Sequence, residues 1–200
     1  MAPMLTDPQL ANLLDAMADA RSADVALRQI DAYRRLLAGP GIFSIQLNVT
    51  TRQDPRNELR LQRLYSSLSG TFPVQARKRK TLTPWTETLF VRGQVFVGVG
   101  EELLAQTFDD YDAMRPLGLD CVVNVPLLQG NLTYATFNVF GTRGRWQPEE
   151  VLGLLREHGL PALERLSAES AFASRWEDAT GLELLYAAQL FRDTGAREAE

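Results

Sequence analysis

The residues with usable chemistry in this chain are few and clustered. In 118-GLDCVVNVPLLQGNLTYATFNVFG-141, two apolar runs flank Gln129-Gly130-Asn131, and each carries one asparagine, Asn124 and Asn138. Asparagine has low strand propensity, and a buried amide must find partners for its donors and its acceptor. Two readings are open: the amides hold neighbouring backbone, or they point into a cavity and read a ligand. Alternation places Asn124 with Val122, Pro126 and Leu128, and Asn138 with Tyr134, Thr136 and Phe140. The second set is polar and aromatic, unlike the Ala135–Phe137–Val139 set, which suits a core. Asn124 therefore reads as a scaffold amide, and Asn138 with Thr136 and Tyr134 as groups that contact a ligand.

A second cluster is Trp85, Thr86 and Glu87, at the start of a helix opened by Thr83-Pro84. Free N–H groups there would suit an anion, and Trp85 could stack on a planar ligand; the plainer reading is a hydrophobic anchor on a capped helix. A third is the acidic segment Phe108–Arg115, with Asp109, Asp110, Tyr111, Asp112 and Arg115. Its acids read as helix caps. Tyr111 or Arg115 could close over a ligand, with Arg115 suited to a carboxylate or phosphate. The basic run 77-RKRK-80 reads as a solvated sheet edge or loop, or as an attractor for an anionic ligand or a partner protein.

Several chemistries are excluded. The acids lack calcium-loop spacing, and one cysteine with one histidine cannot build a common zinc site, so no metal is expected. Cys121 reads as a small buried hydrophobe. His158, near a helix end, complements the dipole there. No G-x-S-x-G elbow is present. A net charge of −4 and an isoelectric point near 5.2 argue against general affinity for nucleic acid or anionic membrane. No apolar run approaches spanning length, and the start MAPMLTDPQL has no leader pattern, so a cytoplasmic protein is expected.

These groups need elements to hold them. Helical spacing predicts helices over 7–20 and from Ser22, with Ala26, Ile30, Tyr33 and Leu37 on one face, to a stop at Gly39-Pro40. Strands follow at 42–49 and 59–67. A short helix runs from Pro84 to Gly93 and a strand over 94–99. Short helices come next near 101–108 and 110–115, then the hairpin. A helix opens at Trp146-Gln147-Pro148, and helical patterns resume over 162–176 and 182–192. This order gives an α+β chain with an antiparallel sheet.

The segment 92–141 resembles a GAF domain. The likeness is carried by Gly93-Gln94-Val95-Phe96, Phe108-Asp109-Asp110, Leu117-Gly118, Val122 to Leu127 and Ala135-Thr136-Phe137-Asn138, in that order, and extends over 7–166 with the flanking helices. The resemblance implies a six-stranded antiparallel sheet, helices from both chain ends on one face, and a ligand pocket under short helices on the other. It also implies that Trp85, Thr86 and Glu87 face that pocket. Members bind cyclic nucleotides, small metabolites, bilins, haem or 2-oxoacids, and many dimerise through terminal helices.

The expected organisation is a GAF-like domain over 1–166 and a helical extension over 167–200, packed on the domain or on a second copy. The expected function is a stand-alone small-molecule-binding module with a sensory or regulatory role, acting as a homodimer, its ligand and any cofactor unidentified. Two alternatives stand beside it. One is a small enzyme using Glu87 or Asp109 with Tyr or Arg; the other is an interaction module with a collapsed pocket. A single lone thiol fits neither methionine sulfoxide reduction nor bilin attachment as those relatives perform them.

Overall fold

In the computed structural model, residues 23–51, 53–74, 76–130 and 132–143 are described, with a few positions before residue 23. Of the helix expected over 7–20, residues 8, 11, 12, 15 and 16 are described and are helical, whereas the helices beyond 145, His158 and the 167–200 extension lie outside the described residues.

Helix α1 (Ala23–Ala38) ends where Gly39 takes a positive φ of 69° and its N–H closes on the Arg35 carbonyl. Glycine pays no Cβ penalty there, and Pro40 cannot continue the helix. Strands β1 (Ile42–Asn48), β2 (Glu58–Ser66), β3 (Arg77–Thr81), β4 (Phe96–Val99), β5 (Cys121–Gln129) and β6 (Leu132–Gly141) follow. Helix α2 (Pro84–Thr86) runs on as a π-helical stretch, Glu87–Val91. Between β4 and β5 stand α3 (Glu101–Thr107) and α4 (Tyr111–Met114), the latter tightening into a 3-10 turn at Arg115–Leu117. No helix among the described residues is long and apolar enough to cross a membrane.

The six strands form one antiparallel sheet in the order β3-β2-β1-β6-β5-β4. Strand β3 is the basic run, whose Lys80 pairs with Leu59 and Lys78 with Leu61 at the sheet edge. Its pleat sends Arg77 and Arg79 to solvent and half-buries Lys78 and Lys80. Four cations carry no apolar alternation, so the strand is invisible to hydrophobic periodicity.

Each face of the sheet carries a core. On one side Leu27 of α1 joins Phe43, Ile45, Val123, Val125, Phe137 and Val139. On the other, α2 with its π-helical continuation, α3 and α4 roof the sheet. There Trp85, Leu89, Phe90, Leu104, Phe108 and Met114 pack on Ile42, Leu59, Leu61, Val122 and Phe140.

Two bulges set which side chains reach the roofed face. Ile45 pairs with Tyr65 but Gln46 with Arg63, so Leu64 is an extra residue in β2. Likewise Leu127 pairs with Ala135 but Leu128 with Thr133, so Tyr134 is an extra residue in β6. A bulge breaks the two-residue period and turns neighbouring side chains to one face. Tyr65 and Tyr134 accordingly join the α1-side core, whereas Arg63 and Thr133 face the roof, Thr133 donating to the Leu89 carbonyl at 2.6 Å. Strict alternation had placed Tyr134 with Thr136 and Asn138; the bulge moves it to the other face.

Candidate functional site

The roofed face is held by a row of hydrogen bonds centred on the two asparagines. Asn124 and Asn138 are direct cross-strand partners, and Asn138 is in turn opposite Ser44. Trp85 lies above this row and donates its indole N–H to Asn124 Oδ1 at 2.9 Å. An indole nitrogen can only donate, so Asn124 must present its oxygen to Trp85 and its amide N–H to the other side. That N–H meets Asn138 Oδ1 at 2.6 Å, and Asn138 Nδ2 donates to the Ser44 and Thr136 carbonyls, both at 3.3 Å. Both asparagines are fully buried. The relay satisfies each amide and pins the roof to the sheet.

Around this row the aromatic rings fill the space that a larger ligand would need. Phe108 meets Trp85 edge-on at 5.8 Å and Phe140 at 5.1 Å, and Phe90 closes the other side of Trp85 at 6.1 Å. What remains is a cavity of about 20 Å³, enough for a water molecule. Its inner wall is Ile42, Trp85, Phe108, Met114, Asn138 and Phe140, and Ser44 and Gln46 of β1 lie between that wall and the charged end.

The charged end is built by β2, β3 and the segment before α4. Arg63, buried with 5% exposure, lies over the Phe72 ring at 5.5 Å and donates to the Pro73 carbonyl at 3.3 Å and to Asp110 at 3.4 Å. Its Nε–H is buried with no partner. Lys78 pairs with the same Asp110 oxygen, and Lys80 meets Asp109 at 2.6 Å while lying 5.8 Å from the Trp85 ring centre. Burial lowers the pKa of Arg63 and of Lys78, each in spite of Asp110. Burial alone would raise the Asp110 carboxyl, but Lys78 and then Arg63 outweigh it and hold it below the usual carboxylate range.

The sequence-predicted residues distribute unevenly. Trp85, Asn124 and Asn138 meet in the relay, and Trp85 and Asn138 line the cavity. Thr136 is buried beside them with its hydroxyl unpartnered, and it is not in the cavity wall. Thr86 closes a capping box with Thr83 and donates to the Thr81 carbonyl, so the helix start is occupied by its own side chains. Glu87 pairs with Arg92 away from the cavity. Tyr111 is buried in the roof core, Arg115 is exposed over its ring at 5.5 Å, and neither lines the cavity. Tyr134 lies across the sheet. Asp110, expected as a cap, makes no side-chain capping bond and turns to Lys78 and Arg63 instead.

Arg63 is the group sequence reading passed over. Its signal was its parity with Leu59 and Leu61 in 59-LRLQRLY-65: a cation at an inward position of a half-buried strand. Cys121 is buried, its thiol pushed up to about 12 by burial and then by Asp120, so it carries no thiolate chemistry here.

This arrangement of sheet, roof and terminal helix is that of a GAF-like fold. A GAF domain of a two-component sensor histidine kinase from Bacillus halodurans is similar with a TM-score of 0.53 at 14% identity, over 72% of this chain and 93% of its own. A far-red cyanobacteriochrome photoreceptor is similar at 0.51 and 9% identity, over 80% and 94% of the two chains. Residues 122 to 287 of a methyl-accepting chemotaxis protein are similar at 0.50 and 15%, over 79% and 97%. No family model matches the sequence, and no curated protein matches it. The fold is shared; identity this low carries nothing further.

Proposed function

We propose that this chain is a GAF-like module with a sensory or regulatory role, which binds a small molecule in the groove between the sheet and the α2–α4 roof. The observation that carries this is the charged end of the groove. A buried arginine with an unpartnered N–H, two half-buried lysines and the polar side chains of Ser44 and Gln46 converge on one cavity. An unpartnered buried N–H is costly unless a ligand or a water meets it, and this one faces the groove. The solved structures of similar fold include a GAF domain of a sensor histidine kinase, a photoreceptor and part of a chemotaxis protein, which supports the sensory side of the reading.

A second reading is favoured by one observation, the cavity of about 20 Å³. A filled groove suits an interaction module that binds no metabolite. Thermal unfolding of the full chain against a set of small acids, amines and neutral metabolites separates the two. Saturable stabilisation by any compound supports the binding module; no shift with any of them supports the filled groove.

A further inference from the structure

We infer that the Asp110 carboxylate stands in for a ligand: Arg63 and Lys78 form a receptor for the oxyanion of a small carboxylic or phosphoric acid, which binds by displacing Asp110. The inference rests on the small-molecule reading above and names its ligand class.

Four observations converge on it. Arg63 reaches the groove on the same face of β2 as Leu59 and Leu61, and it arrives buried in an aromatic setting against Phe72. A guanidinium is shaped for two parallel bonds to one oxyanion, yet Asp110 offers a single contact at 3.4 Å and leaves Nε–H unused. A pair present only to neutralise charge would use that fork.

The lysines add direction. Strand β3 turns Lys78 and Lys80 toward the groove and Arg77 and Arg79 to solvent. Three cations thus face two acids, and one of those acids, Asp109, is 76% exposed. An excess of positive charge in a partly desolvated groove favours an incoming anion.

Displacement also costs the roof little. Asp110 precedes a helix of four residues and caps nothing through its side chain, so turning its carboxylate to water breaks the contacts to Lys78 and Arg63 and one to its own backbone N–H. The vacated position adjoins Ser44 and Gln46, whose hydroxyl and amide suit the remaining oxygens. The cavity itself holds no more than a water molecule, so the headgroup takes the place that the Asp110 carboxylate leaves, and any larger part of the ligand lies toward the mouth.

The test is a titration of the full chain with inorganic phosphate and with acetate at constant ionic strength, followed through amide and arginine Nε–H resonances by NMR. Saturable shifts at Arg63 and Lys78 are expected in the wild type, with the preferred anion identifying carboxylate or phosphate. Asp110→Asn removes the internal competitor, and the same anion should bind about tenfold more tightly. Arg63→Gln should abolish saturation. Equal or weaker binding by Asp110→Asn, or no saturation in either protein, overturns the inference. If Asp110→Asn loses its dispersed spectrum, the wild type and the exposed Asp109→Asn variant carry the test, and no saturation in both is overturning. Neutral compounds titrated in parallel separate this inference from its parent. Neutral binding without anion binding overturns the anion receptor alone, and no binding of either kind overturns both.

Discussion

At the scale of single residues, one donor sets the orientation of two asparagines. Trp85 can only donate, so the amides of Asn124 and Asn138 have one arrangement each. Trp85→Phe keeps most of the buried ring and removes that donor, leaving Asn124 Oδ1 buried and unsatisfied. Urea unfolding should show a loss of about 1–3 kcal/mol; an unchanged midpoint would mean that the relay stabilises nothing. Asp110 makes a pH prediction. Its folded pKa is depressed, so its contribution is present above the ordinary carboxylate range and is lost as pH falls through the folded value. Between pH 7 and pH 3 the wild-type urea midpoint should therefore fall further than that of Asp110→Asn, and equal falls would remove Asp110 from the account. Both asparagines were legible as anomalies because an amide in an apolar strand demands a partner. The partner was not, since Trp85 lies 39 residues from Asn124 in sequence. Asp110 looked like a cap because acids before short helices usually are, and only the neighbouring strand shows its cations.

At the scale of elements, alternation was a sound guide until a bulge interrupted it. In β1, Ile42, Ser44 and Gln46 face the groove and Phe43 and Ile45 the opposite core, as period two requires. In β6 the same rule fails at Tyr134, where one inserted residue changes parity. Bulges have no reliable residue signature here, so register had to come from the paired strand. The start of β1 carries its own constraint. A Cβ on Gly41 would lie 2.2 Å from the Phe140 carbonyl oxygen, a backbone atom that cannot step aside cheaply. Gly41→Ala should cost about 1–3 kcal/mol in chemical denaturation. It should also speed amide exchange at the β1–β6 pairs nearest residue 41; native-like stability would show that the two strands separate more easily than their packing implies.

At the scale of the whole molecule, the order of elements was readable because each is bounded by strong punctuation: Gly39-Pro40, Thr83-Pro84, Gly93, Gly118 and the Gly130 hairpin. The six-strand count was not readable from periodicity, since the basic edge strand lacks it. One thiol reports on the integrity of the ensemble. Cys121 begins β5, has no solvent exposure and is pushed up to about 12. At pH 8 an alkylating reagent should label the native full-length chain at least about a thousandfold more slowly than the urea-unfolded chain. Rapid native labelling would mean that β5 opens without global unfolding.

The two bulges have a consequence for comparing this chain with others of its shape. Each behaves like a frameshift in a two-letter code of inward and outward positions. A relative without the extra residue at Leu64 or Tyr134 would read in the opposite phase on one side of that point, its inward letters facing this chain's outward ones. Aligned without a one-position gap at each site, two sheets of the same architecture would look unrelated over parts of β2 and β6. A gap placed at those two positions restores the phase, and with it brings Arg63 and Asn138 into correspondence with the residues that occupy the same groove elsewhere.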